Sequence, residues 1–114
     1  MKTKTKLSPN IAGIMLLGCL IGWTARAGDV NATWGMNCAA CHGKDGKGST
    51  MMGRTLGIKD MTDPKVQASF TDAQAATDIK DGVAENGVQK MKPFGDKLSD
   101  ADIKALVAHV RSFK

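Results

Sequence analysis

The clearest periodicity lies near the C-terminal end. Ile103, Leu106, Val107 and Val110 recur at i, i+3, i+4 and i+7, the spacing of one apolar stripe on a helix. Ser99 is a good N-cap for it, and Asp100 and Asp102 suit the positive end of a helix. Lys104, Arg111 and Lys114 fall on or near the wet side. A second helix is predicted from Thr71, with Gln74 three residues later as in a capping box. Ala73, Ala76, Ile79 and Val83 mark its inner side, and Gly82 sits near its end. Asp63-Pro64 opens a short helix through Val66 to Ser69, since proline is at home in a first turn. An N-terminal helix is predicted from about Val30 into Cys38, with Trp34 as its largest apolar residue. No stretch alternates apolar and polar residues, so no strand is predicted. The glycine-rich, basic stretch 43–57 and the stretch 86–97 read as loops. The expected fold class is all-α, three to four short helices with two long loops. Long ordered loops in a small domain usually wrap something.

The first residues follow a different pattern. Lys2, Lys4 and Lys6 form a basic opening, Ile11 to Trp23 is almost wholly apolar, and Ala25-Arg26-Ala27 has the small-x-small form that export peptidases cut. These are the three parts of a secretory signal. The apolar run of 13 residues is short for a bilayer span, which wants about 20. The expected division is a signal peptide over 1–27 and one domain over 28–114. A second reading takes Leu16-Leu17-Gly18-Cys19 as a lipobox with Cys19 lipidated. Against it, Leu20-Ile21-Gly22-Trp23 would be an unusually greasy mature start.

Cleavage changes two summaries of the chain. Its formal charge is +5, but Lys2, Lys4, Lys6 and Arg26 are four of the 16 basic residues, and 11 acidic residues nearly balance the other 12. The high isoelectric point therefore gives no argument for nucleic acid. Cys19 leaves with the signal, so the odd cysteine count becomes the pair Cys38 and Cys41. The remaining aromatics are Trp34, Phe70, Phe94 and Phe113. So small a domain with so few large side chains points to an apolar group supplied from outside.

Cys38, Cys41 and His42 stand as C-x-x-C-H. Zinc wants four ligands, adjacent Cys41 and His42 seldom aim at one ion, and His109 is the one other histidine. A redox dithiol normally follows a strand in a βαβ setting, and no strand is predicted. Covalent haem attachment accounts for the motif. Each thiol adds to one vinyl group, the two-residue gap matches the spacing of the vinyls, and the next residue can ligate the iron.

With these residues in view, the chain resembles the small class I monohaem bacterial cytochromes c over nearly all of 28–113. The resemblance rests on Asn37-Cys38-Ala39-Ala40-Cys41-His42-Gly43, on Lys44-Asp45-Gly46-Lys47-Gly48, and on Lys90-Met91-Lys92-Pro93-Phe94 leading into Leu98-Ser99-Asp100. Leu106-Val107-Ala108-His109-Val110-Arg111 closes it, with His109 where the family often has tyrosine. The resemblance implies one covalently attached haem c, with thioethers at Cys38 and Cys41 and His42 as proximal iron ligand.

Methionine on the free face would favour ferrous iron and raise the potential. Five methionines follow the signal: Met36, Met51, Met52, Met61 and Met91. Met36 is on the covalent side, Met61 reads as packing, and Met91 lies in a loop that an intervening helix can carry to the far face. The resemblance puts the distal ligand there too, so Met91 is the expected ligand, with Met52 second. His109, flanked by Ala108 and Val110, reads as a packing or surface histidine rather than a ligand. Trp34 is expected to pack on Leu106 and Val110, while Phe70, Ile79, Val83, Phe94 and Leu98 are candidates for the haem wall.

The implied function is electron transfer with no catalytic residues: a periplasmic monomer whose iron alternates between Fe(II) and Fe(III), meeting donor and acceptor redox proteins transiently. Lys44, Lys47, Lys90, Lys92 and Lys97 could steer an acidic partner. A relay subunit of a larger oxidase or dehydrogenase, and a gas- or peroxide-binding haem protein, are the other readings. Membrane contact is expected only through partner complexes or a lipid at Cys19.

Overall fold

The structure is a computed structural model that describes residues 27–114. The predicted signal peptide and Cys19 lie outside the described residues, apart from Ala27. Among the described residues six helices and one hairpin follow in order: α1 (Val30–Asn37), α2 (Ala39–His42), α3 (Met51–Leu56), α4 (Pro64–Ala68), α5 (Asp72–Asp81), β1 (Val83–Glu85), β2 (Val88–Met91) and α6 (Asp100–Ser112). None of the helices among the described residues is long and apolar enough to cross a membrane.

The predicted caps decide where the helices begin. Ser99 and Asp102 form a full capping box on α6: the Ser99 hydroxyl accepts from the Asp102 N–H, and Asp102 accepts from the Ser99 N–H. Thr71 accepts from the Gln74 N–H and caps α5, without a reciprocal bond from Gln74. Asp63 caps α4 ahead of Pro64. A cap the sequence reading did not name, Asp29, accepts from the Asn31 N–H at the start of α1. Each such cap contributes about 1 kcal/mol.

The helices enclose one cluster of buried residues: Trp34 and Cys38 from the N-terminal helices, Ile79 from α5, Phe94, and the α6 stripe Ile103, Leu106, Val107 and Val110. Burying a leucine or valine side chain stabilises by about 1.5–3 kcal/mol. The stripe is therefore a large share of what holds α6 against α1 and α5. The far side of α6 is fastened by polar groups. Arg111 donates to Asp72, to the Gln67 carbonyl and side chain, and to the Phe70 carbonyl, with its guanidinium 4.3 Å from the Phe70 ring centroid. Gln67 in turn donates to the carbonyls of Met61 and Val110.

Two elements differ from the sequence expectation. The stretch 43–57 contains α3, capped by the Thr50 hydroxyl, which accepts from the Gly53 N–H at 2.9 Å. The stretch 86–97 is not all loop, because β1 and β2 form an antiparallel hairpin around Asn86-Gly87. Both turn residues have positive φ, 52° and 76°, as a tight hairpin turn with the twist of its strands requires. Val83 accordingly belongs to β1 and pairs with Met91, rather than extending α5.

Candidate haem-attachment site

The C-x-x-C-H segment is one helical turn. The His42 N–H donates to the Cys38 carbonyl at 2.9 Å, so Cys38 lies three residues before Cys41 and four before His42 on the same side of α2. The turn is pinned along its length. The Thr50 hydroxyl donates to the Ala40 carbonyl at 2.8 Å, with the Cys41 carbonyl 3.1 Å away. The Gly48 N–H donates to the His42 carbonyl at 2.8 Å, and Trp34 Nε1–H to the Gly43 carbonyl at 2.9 Å. Helix α3 sits directly on this turn. A Cβ at Gly53 would collide with the carbonyl oxygens of Cys41 and Gly48, which leaves glycine as the residue that fits.

The chemistry of the donors separates the three readings of the motif. Both cysteines are free thiols. Burial pushes the Cys38 thiol up to about 11, helped by the neighbouring Cys41. A redox dithiol or a zinc thiolate wants the opposite shift. A site that resists thiolate suits a neutral thioether. Among the described residues, no group of three or more His, Cys, Asp or Glu is placed to hold a metal ion by itself. His42 points the same way. Burial holds its imidazole below the ordinary value, so it is neutral at pH 7 and able to ligate a metal. Its buried Nδ1 has no hydrogen-bond partner, which leaves the ring with unmet bonding capacity. Two thiols on one turn beside a neutral, incompletely bonded imidazole fit a covalently held haem.

The methionines sort by burial. Met36, Met51 and Met52 are exposed by 78%, 80% and 51%, whereas Met61 and Met91 pack against the cluster that contains Cys38. Met91 ends β2, and the chain then turns through Lys92 and Pro93 back to α5. There the N–H groups of Phe94 and Gly95 donate to the Ile79 and Lys80 carbonyls, each at 3.0 Å. Ile79 and Phe94 are buried, and Phe70 and Leu98 are packed on the cluster from its edge. Trp34 shares the cluster with Leu106 and Val110, but its ring neighbours are His42, His109 and Phe113, at centroid distances of 5.6, 5.1 and 5.2 Å. His109 is thus a packing residue wedged between Trp34 and Phe113. Lys44, Lys47, Lys92 and Lys97 are exposed and Lys90 half-buried. The Lys92 ammonium lies 5.5 Å from the Phe94 ring centroid.

A cavity of about 520 Å³ forms an open groove between α5 and α6, lined by Ala76, Ile103 and Val107 with Lys80 and Asp100 at its rim. It touches none of Cys38, Cys41, His42 and Met91, so the chemistry, not the cavity, marks the site.

Comparison with known proteins agrees with the donor set. Residues 25–110 match the family described as cytochrome C oxidase, cbb3-type, subunit III. The chain belongs to this family of c-type cytochromes. Its cofactor is covalently attached haem c, a single C-x-x-C-H motif matches a single haem, and its chemistry is electron transfer through that haem. The KustC0563 c-type cytochrome is similar in structure, with a TM-score of 0.67 at 35% identity, covering 75% of this chain and 98% of its own. A tyrosine-to-phenylalanine mutant of that cytochrome aligns with a TM-score of 0.65 at 35% identity, covering 75% of this chain and 99% of its own. These likenesses establish the cytochrome c fold. Curated proteins give no match.

Proposed function

We propose that this cytochrome is an exported, periplasmic electron carrier whose haem is linked to Cys38 and Cys41 and held between His42 and Met91. The observation that carries this pair of ligands is the partial burial of Met91, packed against the cluster containing Cys38 on a strand end fixed to the rim of α5. Met52, the second candidate, is half exposed on α3. When bound, the haem supplies one-electron Fe(II)/Fe(III) chemistry. The residues of the chain do the rest. Cys38 and Cys41 fix the ring to a turn whose carbonyls are pinned by Thr50, Gly48 and Trp34. His42 and Met91 would hold the iron, and with both bound neither oxidation state would need a change of ligand. Ile79, Phe94 and Leu106 exclude water and favour the less charged, reduced state.

The test is the near-infrared Met–Fe(III) absorption band of the oxidised protein. Met91→Ala is expected to abolish it and Met52→Ala to leave it unchanged. A band that survives Met91→Ala excludes Met91 as ligand.

A second reading has a specific observation behind it, since the matched family is described as an oxidase subunit. In that reading the same domain relays electrons inside a complex. Purification from the native membrane at a fixed ratio to an oxidase would support the relay, and recovery as a free monomer would support the carrier.

A further inference from the structure

The first described residues meet the start of the last helix. The Gly28 N–H donates to Asp102 Oδ1 at 2.8 Å across 74 residues of sequence. The two oxygens of Asp102 divide their work: Oδ1 receives Gly28, while Oδ2 receives the Ser99 N–H at 3.1 Å and the Ser99 hydroxyl at 2.8 Å. Neighbouring carboxylates are engaged elsewhere. Asp29 accepts from the Asn31 N–H, and Asp100 lies 3.5 Å from the Lys80 ammonium. Gly28 is also the residue that follows Ala25-Arg26-Ala27.

We infer that Asp102 is the docking site for the α-ammonium group made when an export peptidase cuts between Ala27 and Gly28, so that processing converts a hydrogen bond from an uncharged amide into an ion pair. The inference rests on the export reading above. Hydrolysis of the Ala27–Gly28 peptide bond by one water leaves a carboxylate on Ala27 and an ammonium on Gly28. The nitrogen that now donates one hydrogen bond then carries three N–H donors and a full positive charge. Its 2.8 Å separation from Oδ1 is already that of a charge-assisted bond. The Gly28 N–H is the leading cause that holds the Asp102 carboxyl below the usual carboxylate range, with the Ser99 bonds behind it. A carboxylate so poised presents its negative charge to the new terminus. The bond also fastens the entry of α1 to the first turn of α6. These helices supply Trp34 and Cys38 on one side and Leu106 and Val110 on the other. Processing thereby tightens the helix pair that buries the first thioether position.

The site is exposed, so the effect is modest, about threefold to fivefold in the unfolding equilibrium constant. The test uses the exported holoprotein. Its intact mass is expected to correspond to a chain beginning at Gly28 with one haem. A haem-bearing chain that begins at Cys19, or at any residue other than Gly28, overturns this inference and leaves the electron-carrier reading standing. Selective transamination of the terminal amine to a carbonyl then removes the charge without touching lysines. Transamination is expected to raise the unfolding constant about threefold to fivefold in the wild-type protein and to have no effect in Asp102→Asn. No effect on the wild type, or an equal effect in both proteins, overturns the inference and means that Asp102 acts only through its capping box with Ser99.

Discussion

Gly82 faces the carbonyl oxygen of Met91 so closely that a Cβ at position 82 would lie 2.6 Å from it. Gly82 also ends α5 with φ at 77°, a region that side chains rarely adopt. Both facts bear on the placement of the proposed distal ligand, because Val83, the next residue, pairs with Met91. Gly82→Ala is expected to cost about 1–3 kcal/mol through backbone strain and to weaken the Met–Fe(III) band by displacing Met91. Equilibrium unfolding and the near-infrared spectrum check both effects. An intact band with unchanged stability would mean that the hairpin yields freely.

Trp34 holds the attachment turn through a single polar atom. Trp34→Phe keeps most of the ring but withdraws Nε1–H from the buried Gly43 carbonyl, which retains a longer bond of 3.3 Å from the Gly46 N–H. The expected cost is about 1–2 kcal/mol. Trp34→Ala also opens a cavity beside His109 and Phe113 and should cost about 3–5 kcal/mol. Denaturant titration of the two holoproteins measures the difference, and an unchanged midpoint in Trp34→Phe would show that the turn does not depend on the indole N–H.

Arg111 separates charge from geometry. Its ion pair with Asp72 is 2.7 Å long, but the carboxylate side chain is 70% exposed, so Asp72→Asn should cost less than about 1 kcal/mol. The bonds to Gln67 and the Phe70 carbonyl are partly buried and need the guanidinium fork. Arg111→Lys keeps the charge and loses the fork, for an expected loss of about 1.5–3 kcal/mol. A larger loss in Asp72→Asn than in Arg111→Lys would assign the role to the ion pair.

The stability of the protein should fall in acid, for reasons that can be placed. The Thr62 hydroxyl and then its N–H hold Asp60 below the usual carboxylate range, and Gly28 and Ser99 do the same for Asp102. A folded carboxylate held low takes its proton less readily than in the unfolded chain, where Asp titrates near about 3.9. Its contribution is complete above that value and is lost as pH falls through the folded pKa. Asp78 runs the other way, because burial raises it, and it offsets part of the slope. Thr62→Val should lower stability at pH 7 but not at pH 2, flattening the acid limb of unfolding midpoint against pH. An unchanged slope would contradict the assignment to Asp60.

How much of this was legible depended on how local each signal was. The α6 stripe and the Thr71 and Asp63 caps need only residues a few positions apart, and all stand in the structure; C-x-x-C-H is as local a signal and forms one helical turn there. The signals for α3 were also present, in Thr50 and Gly57. They were masked by Gly53, which reads as a helix breaker until α3 is seen pressed against the Cys41 carbonyl. The Asn86-Gly87 dipeptide is a strong hairpin signal, but strands of three and four residues without alternation hid it. Contacts distant in sequence were not legible: Gly28 on Asp102, Gln67 on Val110, and His109 beside Trp34 arise from tertiary packing.

The proposed function depends above all on covalent bonds from Cys38 and Cys41 to a haem. Intact mass in denaturing solvent measures this directly on the exported protein, beside the Cys38→Ala, Cys41→Ala double variant. The expected result is one haem retained by the wild type and none by the double variant. A wild-type mass equal to the polypeptide alone, or a haem still retained after both thiols are removed, would contradict it.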